Sequence, residues 1–174
     1  MSDSRASAER PGVLDHPSVA RVRSALAAGG ADVVVIVLEE HARTAVAAAE
    51  QLGVTVGQIA NSLIFALPAV GDAEPEPLLV LTSGAHRVDP VKVADLLGVE
   101  RLDRADADFV RSRTGFAIGG VAPVGHPTPV RTLVDVSLAQ YAQIWAAAGH
   151  PRSVFRTSYD QLLRLTGGTP AEVV

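Results

Sequence analysis

Along this chain apolar residues come in short runs separated by glycine, proline and charged clusters, and the spacing inside each run predicts an element. Val19, Val22 and Leu26 share one face of a helix opened by His16-Pro17-Ser18, running to about Ala28 and ended by Gly29-Gly30. The unbroken apolar run from Asp32 to Leu38 predicts a buried strand. Thr44 to Leu52 is alanine-rich and reads as a helix closed by Gly53. A turn near Gly57 precedes a strand from about Ala60 to Ala66, then an exposed loop over Pro68–Pro77 and a strand over Leu78–Thr82. Asp89-Pro90 caps a helix to Leu97, stopped by Gly98. Ala105 to Arg113 reads as a short charged helix anchored by Phe109 and Val110. Val130 to Val136 is a strand. Ser137 then caps a predicted helix through Ala148, with Leu138, Tyr141, Ile144 and Trp145 inward. Gly149-His150-Pro151 breaks it. A short strand over Ser153–Arg156, a helix over Tyr159–Leu165 ended by Gly168, and an edge strand over Glu172–Val174 complete the reading.

Some strand-to-strand links are too short for crossover helices. The step from Ala60–Ala66 to Leu78–Thr82 is one, and it predicts an α+β fold with a mixed sheet and flanking helices rather than a doubly wound parallel sheet. The 174 residues suit one domain over 13–174, preceded by a small, polar, disordered tail over 1–12. The N-terminus lacks an apolar signal core, and the apolar runs are far shorter than a membrane span. Cysteine is absent, which excludes disulfides and thiolate chemistry, so the expectation is a soluble cytoplasmic protein. The formal charge of −4 argues against a generally basic nucleic-acid binder, and scarce aromatics argue against a base-stacking platform. Lys92 is the only lysine. A phosphate-binding P-loop, a dinucleotide fingerprint and a Gly-x-Ser-x-Gly elbow are all lacking. Five scattered histidines (His16, His41, His86, His126, His150) show no metal-ligand spacing, so neither a metal nor another cofactor is expected.

The densest chemical signal lies between Thr114 and His126. Gly115, Gly119, Gly120, Gly125 and Pro123 fall there between two apolar segments. Such a loop serves either as a tight turn or as a rigid concavity of bare amides for an anion or a carbonyl oxygen. His41, past the first strand, reads as a base or ligand group or as an exposed helix-start residue. His86 and Arg87 follow Ser83-Gly84 at a strand end, where Arg87 either meets a phosphate or pairs with Asp89. His126 lines the loop's concavity or is a turn residue beside Pro127. Asn61 and Ser62 are polar within an apolar strand, either satisfied in the core or projecting into a pocket bounded by the glycine loop. Asp135 is a helix-start residue or a buried carboxylate anchoring that pocket. Arg111 and Arg113 are candidates for a local RNA-binding patch, or else ion-pair partners of Asp106 and Asp108.

Taken in order, Gln58-Ile-Ala-Asn-Ser-Leu-Ile-Phe65, Leu79-Val-Leu-Thr-Ser-Gly84 with Arg87-Val-Asp89, Gly119-Gly-Val-Ala-Pro-Val-Gly125, Val134-Asp-Val-Ser-Leu138 and Gly149-His-Pro151 resemble the YbaK/ProX family of prolyl-tRNA-synthetase-associated editing domains. The resemblance runs from about Val13 to Val174. It implies a mixed, partly barrel-like β-sheet wrapped by helices, and hydrolysis of the ester joining a wrong amino acid to tRNA. It implies that Gly119, Gly120, Val121, Ala122 and Pro123 form the Gly-x-x-x-Pro loop that holds the aminoacyl carbonyl and terminal ribose, with water or a ribose hydroxyl as nucleophile. Asn61 belongs to the catalytic set, and His41, Ser62, Ser83, Arg87, Gly125, His126 and Asp135 to the substrate-binding set. The partner implied is the acceptor end of an aminoacyl-tRNA.

One position departs from the family pattern Gln-x-x-Lys-[Ser/Thr]-Leu: Asn61 stands where the lysine is common. Losing such a charged contact costs about 2–5 kcal/mol of binding, and His86 or Arg87 is a candidate replacement. Two functions follow: a deacylase acting in trans on a small amino acid, since no synthetase segment is present, or a non-catalytic binding module of the same fold.

Overall fold

The computed structural model describes residues 12–174, so the expectation of a disordered tail over 1–12 falls, Gly12 apart, outside the described residues. Eight strands form one mixed sheet in the order β1-β7-β6-β2-β3-β5-β8, with β4 pairing β2 off this path. They are β1 (Val35–Val37), β2 (Ile59–Leu67), β3 (Glu76–Ser83), β4 (Asp103–Arg104), β5 (Arg131–Asp135), β6 (Ile144–Ala147), β7 (Ser153–Thr157) and β8 (Thr169–Ala171). The sheet is open, ending in β1 and β8, and does not close into a barrel. The short link between β2 and β3 makes them an antiparallel pair, with Asn61 opposite Thr82. β3 pairs β5 in parallel, and β2 pairs β6 in parallel.

The helices start where the sequence supplies a side-chain acceptor for the first free amides. α1 (Pro17–Ala28) opens on Pro17, with His16 Nδ1 accepting the Ser18 N–H. Thr44, Asp89, Asp106 and Ser158 cap α2 (Ala45–Leu52), α3 (Pro90–Leu97), α4 (Ala107–Thr114) and α5 (Tyr159–Thr166) in the same way. Strand alternation then sorts the core onto two sheet faces. Leu79, Leu81, Val134 and Phe155 pack with Val19, Val22 and Leu26 of α1, Val110 of α4 and Leu162 of α5. Leu78, Val80 and Leu133 pack with Val93 of α3 on the other face, while Ile59 and Trp145 meet Ala48 and Ala49 of α2. The mixed sheet wrapped by helices is as the sequence implied.

Four local readings need correction. The run Asp32–Leu38 is not a buried strand: only Val35–Val37 pair, and they pair with β7 alone. On that edge one face has no neighbour to bury it, and Val34 is 76% exposed. The helix predicted from Ser137 through Ala148 is a 3-10 turn over Val136–Gln140 followed by β6. Alanine favours helix intrinsically, but Ile144, Ala146 and Ala148 also satisfy period two, and pairing of Ile59 with Trp145 and Ala60 with Ala146 wins. The last strand lies at Thr169–Ala171 on β5 rather than at Glu172–Val174, where Val173 is buried and its carbonyl accepts the Asp89 N–H. Gly167, not Gly168, follows α5. The two-residue β4 had no signal in the sequence.

Candidate active site

β2 is the strand on which the site is built. On the edge away from β3 it pairs with β6 through Ile59 and Ala60, and with β4 through Phe65 and Ala66. Asn61 to Ile64 have no strand partner on that edge. The Gly84 N–H donates to the Ile59 carbonyl at 2.8 Å, so Ile59, Asn61 and Leu63 direct their backbone groups at β3. By alternation Ser62 and Ile64 direct theirs into the gap.

A cavity of about 280 Å³ opens at this gap. Asn61, Ser62 and Leu63 line one side, the start of α2 (Thr44, Ala45, Ala48) another, and Ile118, Gly119 and Val121 of the glycine loop a third, with Trp145 and Ala146 of β6 closing it. The Ser62 hydroxyl oxygen is buried and lacks a hydrogen-bond partner among the described residues. Such a group costs about 1–3 kcal/mol unless something else satisfies it.

The loop between α4 and β5 is a packed structure rather than a surface turn. Val121, Ala122 and Val124 are buried in the main core. Gly120 donates its N–H to Ala117, and it approaches the His150 backbone so closely that a Cβ would lie 3.3 Å from His150 Cα. His126 donates from Nε2 to the Ala122 carbonyl at 2.8 Å, bracing the loop from behind. Phe116 sits beneath it, 1% exposed, with its ring edge-on to His126. Gly119 has φ +91°, which a side chain would strain. Among the described residues the amides of Gly119, Val121 and Ala122 find no protein acceptor. Gly119 and Val121 line the cavity, so their amides are free to donate to a group placed there.

The remaining sequence candidates fall elsewhere. Ser83, Arg87, Gly125, His126, His41 and Asp135 are not among the residues lining the cavity. Asp135, 1% exposed, is a staple between strands. Its Oδ2 accepts from the Ser83 N–H (3.0 Å), the Thr82 hydroxyl (3.2 Å) and His86 Nδ1 (2.9 Å), and its Oδ1 from the Ser137 N–H (2.9 Å) and hydroxyl (2.8 Å). Burial pushes its pKa up, but the donors of Ser83, Ser137 and His86 outweigh burial and hold it below the ordinary carboxylate value. The Ser83 hydroxyl donates to the Gly57 carbonyl. Burial also lowers the pKa of His126, opposed by its bond to Ala122 and aided by Arg21. His41 lies outside the cavity against His150, which also meets His16, with ring centroids 5.6 and 5.3 Å apart. Burial and then those neighbours lower the His150 pKa. Among the described residues no group of three or more ligand side chains could hold a metal ion. Arg113 pairs with Glu74 at 3.0 Å, not with Asp106 or Asp108.

Sequence reasoning missed Arg43, Trp145 and the start of α2 as lining groups. The available signal was an arginine directly before the helix-capping Thr44 at the end of the β1 connection.

The open mixed sheet with flanking helices and a cavity bounded by the glycine loop define the class, an α+β domain of the editing-domain fold. Residues 39–165 match the family described as aminoacyl-tRNA editing domain, and the chain belongs to that family, the YbaK family. It is 27% identical over 135 residues to EbsC of Enterococcus faecalis, named as a candidate Cys-tRNA(Pro)/Cys-tRNA(Cys) deacylase, covering 78% of this chain and 79% of that one. A proline–tRNA ligase of Limosilactobacillus fermentum is 35% identical over 97 residues, which is 56% of this chain; the match spans only 17% of the ligase. A crystal structure described as a candidate trans-editing enzyme for prolyl-tRNA synthetase superposes with a TM-score of 0.79 at 42% identity, covering 90% of this chain and 96% of that one. The described residues include no helix long and apolar enough to cross a membrane.

Proposed function

We propose that this chain is a trans-acting aminoacyl-tRNA deacylase that hydrolyses the ester of a tRNA mischarged with a small amino acid, in the cytoplasm. The observation that carries this reading is the pair of unpartnered amides at Gly119 and Val121, two residues that line the cavity. The names of EbsC and of the structural neighbour point the same way. Water, or a ribose hydroxyl relaying it, adds to the ester carbonyl carbon. Negative charge moves to the carbonyl oxygen, where the loop amides stabilise it, each donor contributing about 10²–10³ in rate. The bond to the ribose oxygen then breaks, and that oxygen takes the proton released by the nucleophile, leaving tRNA and free amino acid. The catalytic set is Gly119 to Pro123 with Asn61. Ser62 offers its unpaired hydroxyl to the substrate, while Ser83, Asp135 and His126 hold strands and loop in place. Size exclusion selects the amino acid, a coarse discriminator against smaller side chains.

Asn61 favours a second reading, a non-catalytic module that binds a tRNA end, a nucleotide-like ligand or a protein partner. Deacylation of Ala-, Ser- and Cys-tRNA(Pro) by the wild type and by Asn61→Lys separates the two. We expect turnover by the wild type. If only Asn61→Lys turns over, the second reading is correct; if neither does, the domain is not a deacylase for these substrates.

A further inference from the structure

Arg43 is the one charged residue among those lining the cavity. It is exposed, and it makes no hydrogen bond or ion pair to any other described residue; the described ion pairs engage His86, Lys92, Arg101 and Arg113 instead. An unpaired arginine on a surface is commonplace, but the backbone carrying this one is fixed on both sides. The Ala42 N–H donates to the Pro151 carbonyl at 2.7 Å, and Thr44 caps α2 through the Ala47 N–H. Further back, Gln51 clasps Glu40 with two hydrogen bonds, and Arg152 Nε donates to the Leu38 carbonyl. The aliphatic stem of Arg43 lies against the glycine loop: a Cβ built on Gly119 would meet Arg43 Cγ at 3.4 Å and Arg43 Cβ at 3.6 Å. The start of the Arg43 side chain therefore lies beside Gly119, and the residue lines the cavity between α2 and the glycine loop.

We infer that Arg43 binds a phosphodiester oxygen of the RNA 3′ end whose terminal ribose enters the cavity. This rests on the deacylase reading and names the cation within it. Guanidinium is always charged and presents parallel donors that match a phosphate. Its backbone is already ordered, so the freedom lost on binding is that of the side chain alone. In a chain of net charge −4 a single local cation has large leverage over an anionic ligand. The assignment also accounts for Asn61: positive charge reaches the cavity from the loop before α2 rather than from β2. Arg87 and His86 are placed less well for this part: neither lines the cavity, and His86 is bonded to Asp135.

The test is equilibrium binding of an uncharged RNA minihelix ending in CCA, across a salt series, by wild type, Arg43→Ala, Arg43→Lys and the double variant Arg43→Ala/Asn61→Lys, with thermal melts as a folding control. We expect Arg43→Ala to weaken binding at least tenfold and to reduce the magnitude of the salt slope by about 0.7, Arg43→Lys to keep the salt slope while losing part of the affinity, and Asn61→Lys to restore part of what Arg43→Ala loses. Wild-type binding with an unchanged Arg43→Ala affinity and slope overturns the role of Arg43 and leaves the deacylase reading intact. A wild type that binds the minihelix no better than the same RNA lacking CCA overturns both.

Discussion

At the scale of the residue, the site depends on what Gly119 lacks. Its φ of +91° strains any side chain, and Arg43 occupies the space beside it. Gly119→Val must therefore distort the loop or displace the arginine stem, at about 1–3 kcal/mol of backbone strain. The expected result is a fall in deacylation of a hundredfold or more while circular dichroism still reports a folded protein. Full activity in Gly119→Val would remove the loop from the mechanism.

Among the elements, the glycine loop is rigid because of what packs under it. Phe116 lies 5.0 Å from the Arg21 guanidinium carbon, edge-on to His126, and against both Gly125 and Gly149. Phe116→Ala is expected to cost about 3–5 kcal/mol in denaturant unfolding, whereas Phe116→Leu keeps the fold and lowers kcat more than it raises KM, because the donors lose their alignment. What could be read from the sequence followed the same division. The glycine loop and the polar pair Asn61-Ser62 were visible, since each breaks a local pattern. The caps at Asp89 and Ser158 were visible for the same reason, whereas Asp106 was not read as one and Ser137 caps no α-helix. Ile144 to Ala147 was not, because its residues satisfy helical and strand spacing alike and only pairing with Ile59 and Ala60 decides. Nor was the edge position of β1, since a run of valines does not state whether a second strand will cover it. Arg43 escaped notice because its meaning depends on a glycine far along the chain.

For the whole molecule, Asp135 ties β3 and β5 together, and its depressed pKa fixes a sign. A carboxylate that titrates lower in the folded state than in the unfolded chain stabilises at all pH values above the unfolded value, about 3.9. That stability is lost as pH falls through the folded value. Asp135→Asn should lower unfolding free energy by about 2–4 kcal/mol at pH 7, with the gap to wild type closing below about pH 4. His126 and His150 act in a separate window. Both favour the neutral form when folded, so the wild type should begin to lose stability as pH drops below the unfolded histidine value of about 6.5. Chemical denaturation from pH 3 to 8 resolves the two steps. A constant difference between wild type and Asp135→Asn across that range would contradict the carboxylate's role.

The unpaired amides of the loop carry a consequence for how such a domain can change. A main-chain N–H survives nearly every point substitution, so truncating the side chains of the loop one by one would leave the donor row in place. An alanine scan there reports packing and backbone freedom, and is close to blind to the chemistry. Only a change that deletes the N–H itself, such as proline or a backbone ester, reaches it. Donors written in the backbone place few demands on the identity of the side chains around them.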